Sequence, residues 1–263
     1  VPQGAIDDAI TTWNNRDTDI YGITASGGAE LSGFANIYFP QTGGRPEIGV
    51  LPKWIVQYLL TWDAGLKNIM LGQAELLANT PAHWREFDET MSFVGRIINI
   101  DDRPKVRIRS EGDATSSSYD PLPVAIGSTS NPWTIDLSHQ GSFNYIPYLV
   151  SGEYFYLQEM YYWAGYNLAQ GHFDSSWGRN FSEGIVQSQI RGVAWGLRNI
   201  AHAAALAPNS HPEKTYFQDK LQNNIAYRTL SAANYQLRYT TKTGGPISGL
   251  DSSVTNNTSG WME

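Results

Sequence analysis

Tyr58-Leu59-Leu60-Thr61-Trp62-Asp63 and Tyr148-Leu149-Val150-Ser151-Gly152-Glu153 decide how this chain is read. Each stretch has a helix end, a short turn and an acidic first residue suited to the start of the next helix. Two copies of one helix–turn–helix junction imply an internal repeat of helical hairpins. The periodicity around each copy agrees. Pro52 suits a first helical turn, and Trp54, Ile55, Tyr58, Leu59 and Trp62 recur at helical spacing, which predicts a helix from about 52 to 62. Its partner starts near Asp63, carries Leu66, Ile69, Met70 and Leu77 on one face, and stops at Asn79-Thr80-Pro81. Around the second copy, Phe143, Ile146, Leu149 and Val150 precede the break at Ser151-Gly152, and Leu157, Met160, Tyr161, Ala164 and Leu168 follow it. A third hairpin is expected from about 186 to 235. Val193, Leu197, Ile200 and Ala204 line its first helix, Pro208 ends that helix, and Ser210-His211-Pro212-Glu213 reads as a capping box for the second.

The remaining segments break this rhythm. Residues 1–48 are rich in Gly, Thr and Asn, and alternation around Asp19-Ile20-Tyr21-Gly22-Ile23 and Phe34-Ala35-Asn36-Ile37-Tyr38 predicts short strands or extended chain. Residues 49–240 form the hairpin array, interrupted at about 82–135 by an insertion with strand-like stretches at Val94 to Ile100 and Val106 to Arg109. A long Ser/Pro/Gly-rich loop then runs to Trp133. Residues 241–263 read as a loop-like tail, expected to lead into helices beyond Glu263. The expected fold is mainly α: helical hairpins stacked side by side into a curved array, with a small β-containing N-terminal segment and insertion.

Composition bounds the function. With 18 Lys+Arg against 25 Asp+Glu and a net charge of −7, the chain lacks the basic surface that phosphate binding needs, so no nucleic-acid partner is expected. The absence of cysteine removes disulfides, thiolate nucleophiles and Cys-based metal sites together. No pair of the five histidines has HExxH or HxH spacing, and Walker, GxGxxG and GxSxG motifs are missing, so no metal or cofactor is expected. No apolar run approaches the roughly 20 residues of a membrane span. Charged residues make up 16% and aromatics 13%, and polarity is carried by Asn, Gln, Ser, Thr and Tyr, a balance that favours an extracellular or cell-surface protein handling neutral or sugar-like ligands.

Three stretches carry a family likeness: Gly43-Gly44-Arg45-Pro46-Glu47-Ile48-Gly49-Val50-Leu51-Pro52-Lys53-Trp54, then Ser138-His139-Gln140 ahead of Tyr145-Ile146-Pro147-Tyr148-Leu149, then Gln189-Ile190-Arg191-Gly192-Val193-Ala194-Trp195-Gly196-Leu197-Arg198. They resemble the helical-toroid, or six-hairpin, segments of large secreted bacterial proteins, which are related in architecture to polysaccharide lyases and glycoside hydrolases. The likeness covers roughly residues 43–235. It implies an (α/α) toroid or an open part of one, since three hairpins are found where six would close a ring, in a carbohydrate-active segment of a larger protein with a polysaccharide or oligosaccharide as partner.

A uronate lyase must neutralise a carboxylate, remove the adjacent proton and protonate the leaving oxygen. His139 suits the base, Tyr145 or Tyr148 the acid, and Gln140 or Arg191 the neutraliser; alternatively His139 caps a helix and the tyrosines pack. Arg191, Trp195 and Arg198 share one helical face, which could hold the ring and carboxylate of an acidic sugar or be an Arg stacked on Trp in a helix contact. His202 continues that stripe and reads as packed core. Arg45, Glu47 and Trp54 form a further candidate sugar cluster, with an Arg–Glu pair as the structural alternative, and Trp177 completes the candidate aromatic set. Arg96, Arg103, Lys105, Arg107 and Arg109 outweigh Asp101 and Asp102, which suits either an anionic polymer or the wet face of an edge strand. Glu47, Asp101, Asp102 and Asp136 are the carboxylates available to a hydrolase. The leading expectation is thus a polysaccharide-active segment, a lyase acting by β-elimination; the alternatives are a non-catalytic structural or assembly protein and a glycan-binding module.

Overall fold

A computed structural model describes residues 1–15, 33–40, 44–108, 119, 120, 122, 133–170, 183–186, 188 and 190–242, with side chains as far as residue 229. The described residues are mainly helical: α1 (Gln3–Asn14), α2 (Lys53–Thr61), α3 (Ala64–Leu76), α4 (Tyr145–Ser151), α5 (Tyr154–Ala169), α6 (Ile190–Leu206) and α7 (Pro212–Lys242), with no strand among them. A 3-10 turn, Leu77–Asn79, extends α3. Helices α2 and α3 pack together, α3 meets α4, and α4–α5, α5–α6 and α6–α7 follow, so neighbouring hairpins contact one another in chain order.

The two repeated junctions are built alike. Trp62 and Gly152 both adopt the left-handed conformation and close their helices by donating N–H to Tyr58 O and Tyr148 O at 2.7 and 2.8 Å. Thr61 Oγ1 donates to Gln57 O at 2.8 Å and accepts from Asp63 N at 3.3 Å. Ser151 Oγ repeats this with Pro147 O at 2.7 Å and Glu153 N at 3.1 Å. The hydroxyl residue therefore bridges the end of one helix to the start of the next. Asp63 then caps α3 by accepting from Leu66 N at 3.0 Å, whereas Glu153 caps α5 through its backbone alone.

Helix α5 is the centre of the core, with every residue from Glu159 to Ala169 buried. A helix apolar on all sides must be covered on all sides, and here the insertion supplies one wall. Ile97 and Ile98 press against Gly165, and Ile108 N donates to Ala169 O at 3.0 Å. Glu159, the carboxylate inside this helix, is met by His83 Nε2 at 2.8 Å. A buried Glu86–Arg103 pair, at 2.5 and 2.9 Å, ties the two ends of the insertion's described loop.

Four expectations are corrected. The N-terminal segment begins with α1, whose Ile10 and Trp13 fit over Gly65 and Gly72 of α3, where any larger residue would collide with them. Of the expected extended segments, Phe34–Tyr38 forms only an isolated parallel bridge, Tyr38 to Thr134, while Asp19–Ile23 lies outside the described residues. In the insertion, the β-branched run makes one antiparallel bridge, Arg85 to Ile97, and buries its side chains on α5 instead of in a sheet. The third hairpin's capping box is also different: α7 starts at Pro212, and Glu213 turns to Arg96 Nε at 2.8 Å and His211 Nδ1 at 2.9 Å.

Candidate functional site

Residues 136–144 link the insertion to α4 and run along α6. Asp136 Oδ1 accepts the backbone N–H groups of Ser138 and His139, the turn expected of an Asx residue. Its other oxygen faces His139 Nδ1 at 2.6 Å. From the first turn of α6, Arg191 donates Nη2–H to His139 Nε2 at 2.7 Å. A guanidinium only donates, so Nε2 accepts, and Nδ1 carries the proton that is given to Asp136. His139 is 5% exposed. The Asp136–His139–Arg191 chain thus has an oriented imidazole with both nitrogens engaged.

Next along the loop, Gln140 is wholly buried and joins α5 to α6. Its Nε2 donates to Asn167 Oδ1 at 2.5 Å and Leu137 O at 2.9 Å, and its Oε1 accepts from Asn167 Nδ2 at 2.9 Å and Asn199 Nδ2 at 2.7 Å. Arg198 donates to Gln140 O at 3.1 Å and to Gly49 O, and lies over the Trp195 ring at 4.8 Å. Burial pushes the Arg198 guanidinium down to about 9, still charged at neutral pH. Gly141 packs so closely on Phe143 and the Glu47 carbonyl that a side chain has no room there.

At the loop's end, Tyr145 stacks on His202 with centroids 4.0 Å apart, and Ser142 Oγ lies 3.3 Å from His202 Nδ1. Burial, then the Arg198 charge, push His202 down to about 4, so this imidazole is neutral. The cavity here, lined by Asn144, Tyr145, Asn199 and His202 among others, has room for about one water molecule.

The structure therefore joins His139 to Arg191 but separates them from Tyr145. Arg191 and His202 are eleven residues apart on one helix, which at 1.5 Å per residue is about 16 Å, or three turns. Trp54, a candidate sugar platform, is a core residue at 2% exposure, packed on Phe34 with centroids 6.2 Å apart. Arg45 lies 3.0 Å from Glu47 and donates to Tyr38 O and Phe39 O at 3.0 and 2.9 Å, so the pair pins segment 36–39. Tyr148 is half-buried on α4. Trp177 and Gln189 lie outside the described residues. The hydrolase carboxylates are each engaged elsewhere: Asp101 with Lys220 at 2.6 Å, Asp102 with Ser92 Oγ at 2.6 Å, Asp136 with His139 and Glu47 with Arg45. Of the insertion's cations, Arg96 meets Glu213, Arg103 meets Glu86, and Arg107 donates to Tyr119 Oη at 2.7 Å.

Sequence reasoning did not name Asp136 as the partner of His139, although the i, i+3 spacing was the available cue. It also missed Asn167, Asn199 and the His83–Glu159 pair, whose partners come from distant segments. Among the described residues no cluster of three or more His, Asp or Glu could hold a metal, and no helix is long and apolar enough to cross a membrane. Comparison of the chain with protein-family models, with curated proteins and with solved structures finds no match.

Proposed function

We propose that the chain is a helical-hairpin scaffold segment of a secreted, toroid-type protein, one that holds a polysaccharide without cleaving it by itself. The observation that carries this reading is the engagement of His139 at both ring nitrogens. A general base needs a free lone pair within reach of the proton it takes, and Arg191 occupies the one at Nε2. Tyr145, the proposed acid, stacks on His202 about three turns farther along α6. The sequential packing of the hairpins supports an open part of an (α/α) toroid. The low charge, the abundance of amides and hydroxyls, and the family likeness support a sugar partner and an extracellular or cell-surface location.

The test is incubation with a panel of uronate-containing and neutral polysaccharides, read by unsaturated-product absorbance, reducing ends and retardation in affinity gels. Retardation without turnover is expected. Turnover that disappears in a folded His139→Ala variant would reinstate the lyase. A second reading, an assembly module, is favoured by apolar residues exposed near the turns of the first two hairpins, Leu60 and Trp62 in one and Leu149 and Tyr154 in the other. Self-association in light scattering without retardation by any glycan would select it.

A further inference from the structure

A second cavity lies on the other side of α5, away from the loop just described. It has a volume of about 80 Å³ and is lined by Arg85 and Arg96 of the insertion, Tyr161 and Tyr162 of α5, and His211 and Glu213 at the start of α7. Both arginines come from the insertion and line the cavity, in the segment where Arg85 bridges to Ile97. The geometry points to a binding site for a small hydroxycarboxylate.

Two buried polar atoms around this cavity have no partner in the protein. Arg96 is held by Nε, which donates to Glu213 Oε1 at 2.8 Å, and its Nη2 is left with nothing to donate to. Tyr161 is 2% exposed, and its hydroxyl is likewise unpartnered. Each such orphan costs about 1–3 kcal/mol, so two at one cavity are unusual unless something in the cavity satisfies them. Glu213 Oε2 lies 2.9 Å from His211 Nδ1 without an aligned hydrogen bond, which leaves a carboxylate oxygen able to accept.

These groups specify the ligand. Two guanidiniums against one carboxylate leave a single positive charge, and planar guanidinium forks suit a carboxylate. A hydroxyl beside that carboxylate can accept from Tyr161 Oη and donate to Glu213 Oε2. Burial and the neighbouring Glu213 charge hold the Tyr161 phenol above its ordinary value, so it remains a donor at neutral pH. Tyr162, with Arg85 over its ring at 5.2 Å, gives the short carbon chain a flat wall. The volume equals about five to eight water-sized spheres, which admits an acid of a few carbons and is too small for a polysaccharide chain. The site is thus independent of the glycan reading above.

Three matched probes test it on the intact chain by amide-resonance titration up to tens of millimolar and by calorimetry. Glycerate carries the carboxylate and hydroxyls, propionate the carboxylate alone, and glycerol the hydroxyls alone. Glycerate is expected to bind at least about tenfold more tightly than either of the others. Tyr161→Phe removes only the unpartnered hydroxyl, so it should fold with unchanged or raised Tm and lower glycerate affinity to the propionate level. Arg85→Gln, at the exposed mouth, should weaken glycerate and propionate together. Absence of resonance shifts with glycerate, equal binding of all three probes, or full glycerate affinity in folded Tyr161→Phe would each overturn the proposal.

Discussion

Trp62 and Gly152 stand at the same left-handed position of two hairpin turns, with φ of 57° and 70°. Glycine adopts this conformation without cost, whereas a residue with a Cβ is disfavoured there by about 1–2 kcal/mol. A Cβ at Gly152 meets no atom within contact distance, so Gly152→Ala isolates the backbone effect. We expect it to lower stability by about 1 kcal/mol in urea denaturation. Trp62→Gly relieves the same cost but forfeits the edge contact with Tyr58, whose centroid is 5.5 Å away, so its net change should stay within about 1 kcal/mol. A larger loss in Trp62→Gly would mean that the indole, 70% exposed here, is held by more than the turn.

Arg103 anchors the insertion through Glu86, with both residues buried. Removing one partner of a buried pair strands the other, which typically costs about 3–5 kcal/mol. Arg103→Met should therefore destabilise by about 3 kcal/mol, and Glu86→Gln somewhat less, because the two backbone N–H groups of Phe87 and Asp88 still find its amide oxygen. Hydrogen bonding to Arg103 holds the Glu86 carboxyl below the usual carboxylate range. The sign follows: its contribution is complete above the unfolded-chain value and fades as pH falls through the lowered folded value. Wild type minus Glu86→Gln, measured across the acid limb, should show that fade. A flat difference would remove Glu86 from the acid response.

The repeat made α2 to α5 legible because a short turn and an acidic helix start are local requirements that leave local residues, whereas the bridging hydroxyls of Thr61 and Ser151 emerge only from the structure. Helix α1 was readable too, since Ile6, Ile10 and Trp13 recur at helical spacing, but Gly4, Thr11, Thr12 and Asn14 weigh toward loop until Gly65 and Gly72 of α3 are seen to receive it. The insertion misled in the opposite sense. Ile97, Ile98 and Ile100 carry strand propensity, yet a fully apolar α5 offers them burial without a ladder, and burial is what that propensity mostly measures. At the site, Arg191 and Arg198 both turn from α6 to the 136–144 loop, and Arg198 lies over the Trp195 ring. What the spacing could not give is the line of the 136–144 loop along α6, which sends His139 to one end of the stripe and Tyr145 to the other.

His202 gives a second pH response. Its folded value is pushed down to about 4 by burial and then by Arg198, while the unfolded imidazole titrates near 6.5. The unfolded state binds the proton first, so stability is complete above about pH 6.5 and declines as pH falls toward about 4. His202→Phe preserves a ring against Tyr145 and removes the titration. Its stability should vary less between those two pH values than that of wild type, as read by chemical denaturation at matched ionic strength. An identical pH slope in both proteins would show that the imidazole is solvated in solution.

Gln140 and Asn199 provide the test of whether the 136–144 loop is anchored by its amide network or by the His139–Arg191 contact. Gln140 Oε1 accepts from Asn199 and Asn167 at once, so Gln140→Leu strands the Asn199 amide and leaves the Asn167 amide only its bond to Trp163 O, and should cost about 2–4 kcal/mol. Asn199→Leu strands less, because Asn167 still bonds to Gln140, and should cost about 1–3 kcal/mol. Once Gln140 is gone, the loss at Asn199 is already incurred, so the double variant should fall short of the sum by about 1–2 kcal/mol. Arg191→Met lies outside the network and removes only a donor to His139; combined with Gln140→Leu it should add within about 0.5 kcal/mol. Strict additivity between Gln140 and Asn199 would mean that the loop is held elsewhere. Strong coupling between Gln140 and Arg191 would mean instead that the imidazole and amide contacts act as one unit, and that His139 is oriented from α5 as well as α6.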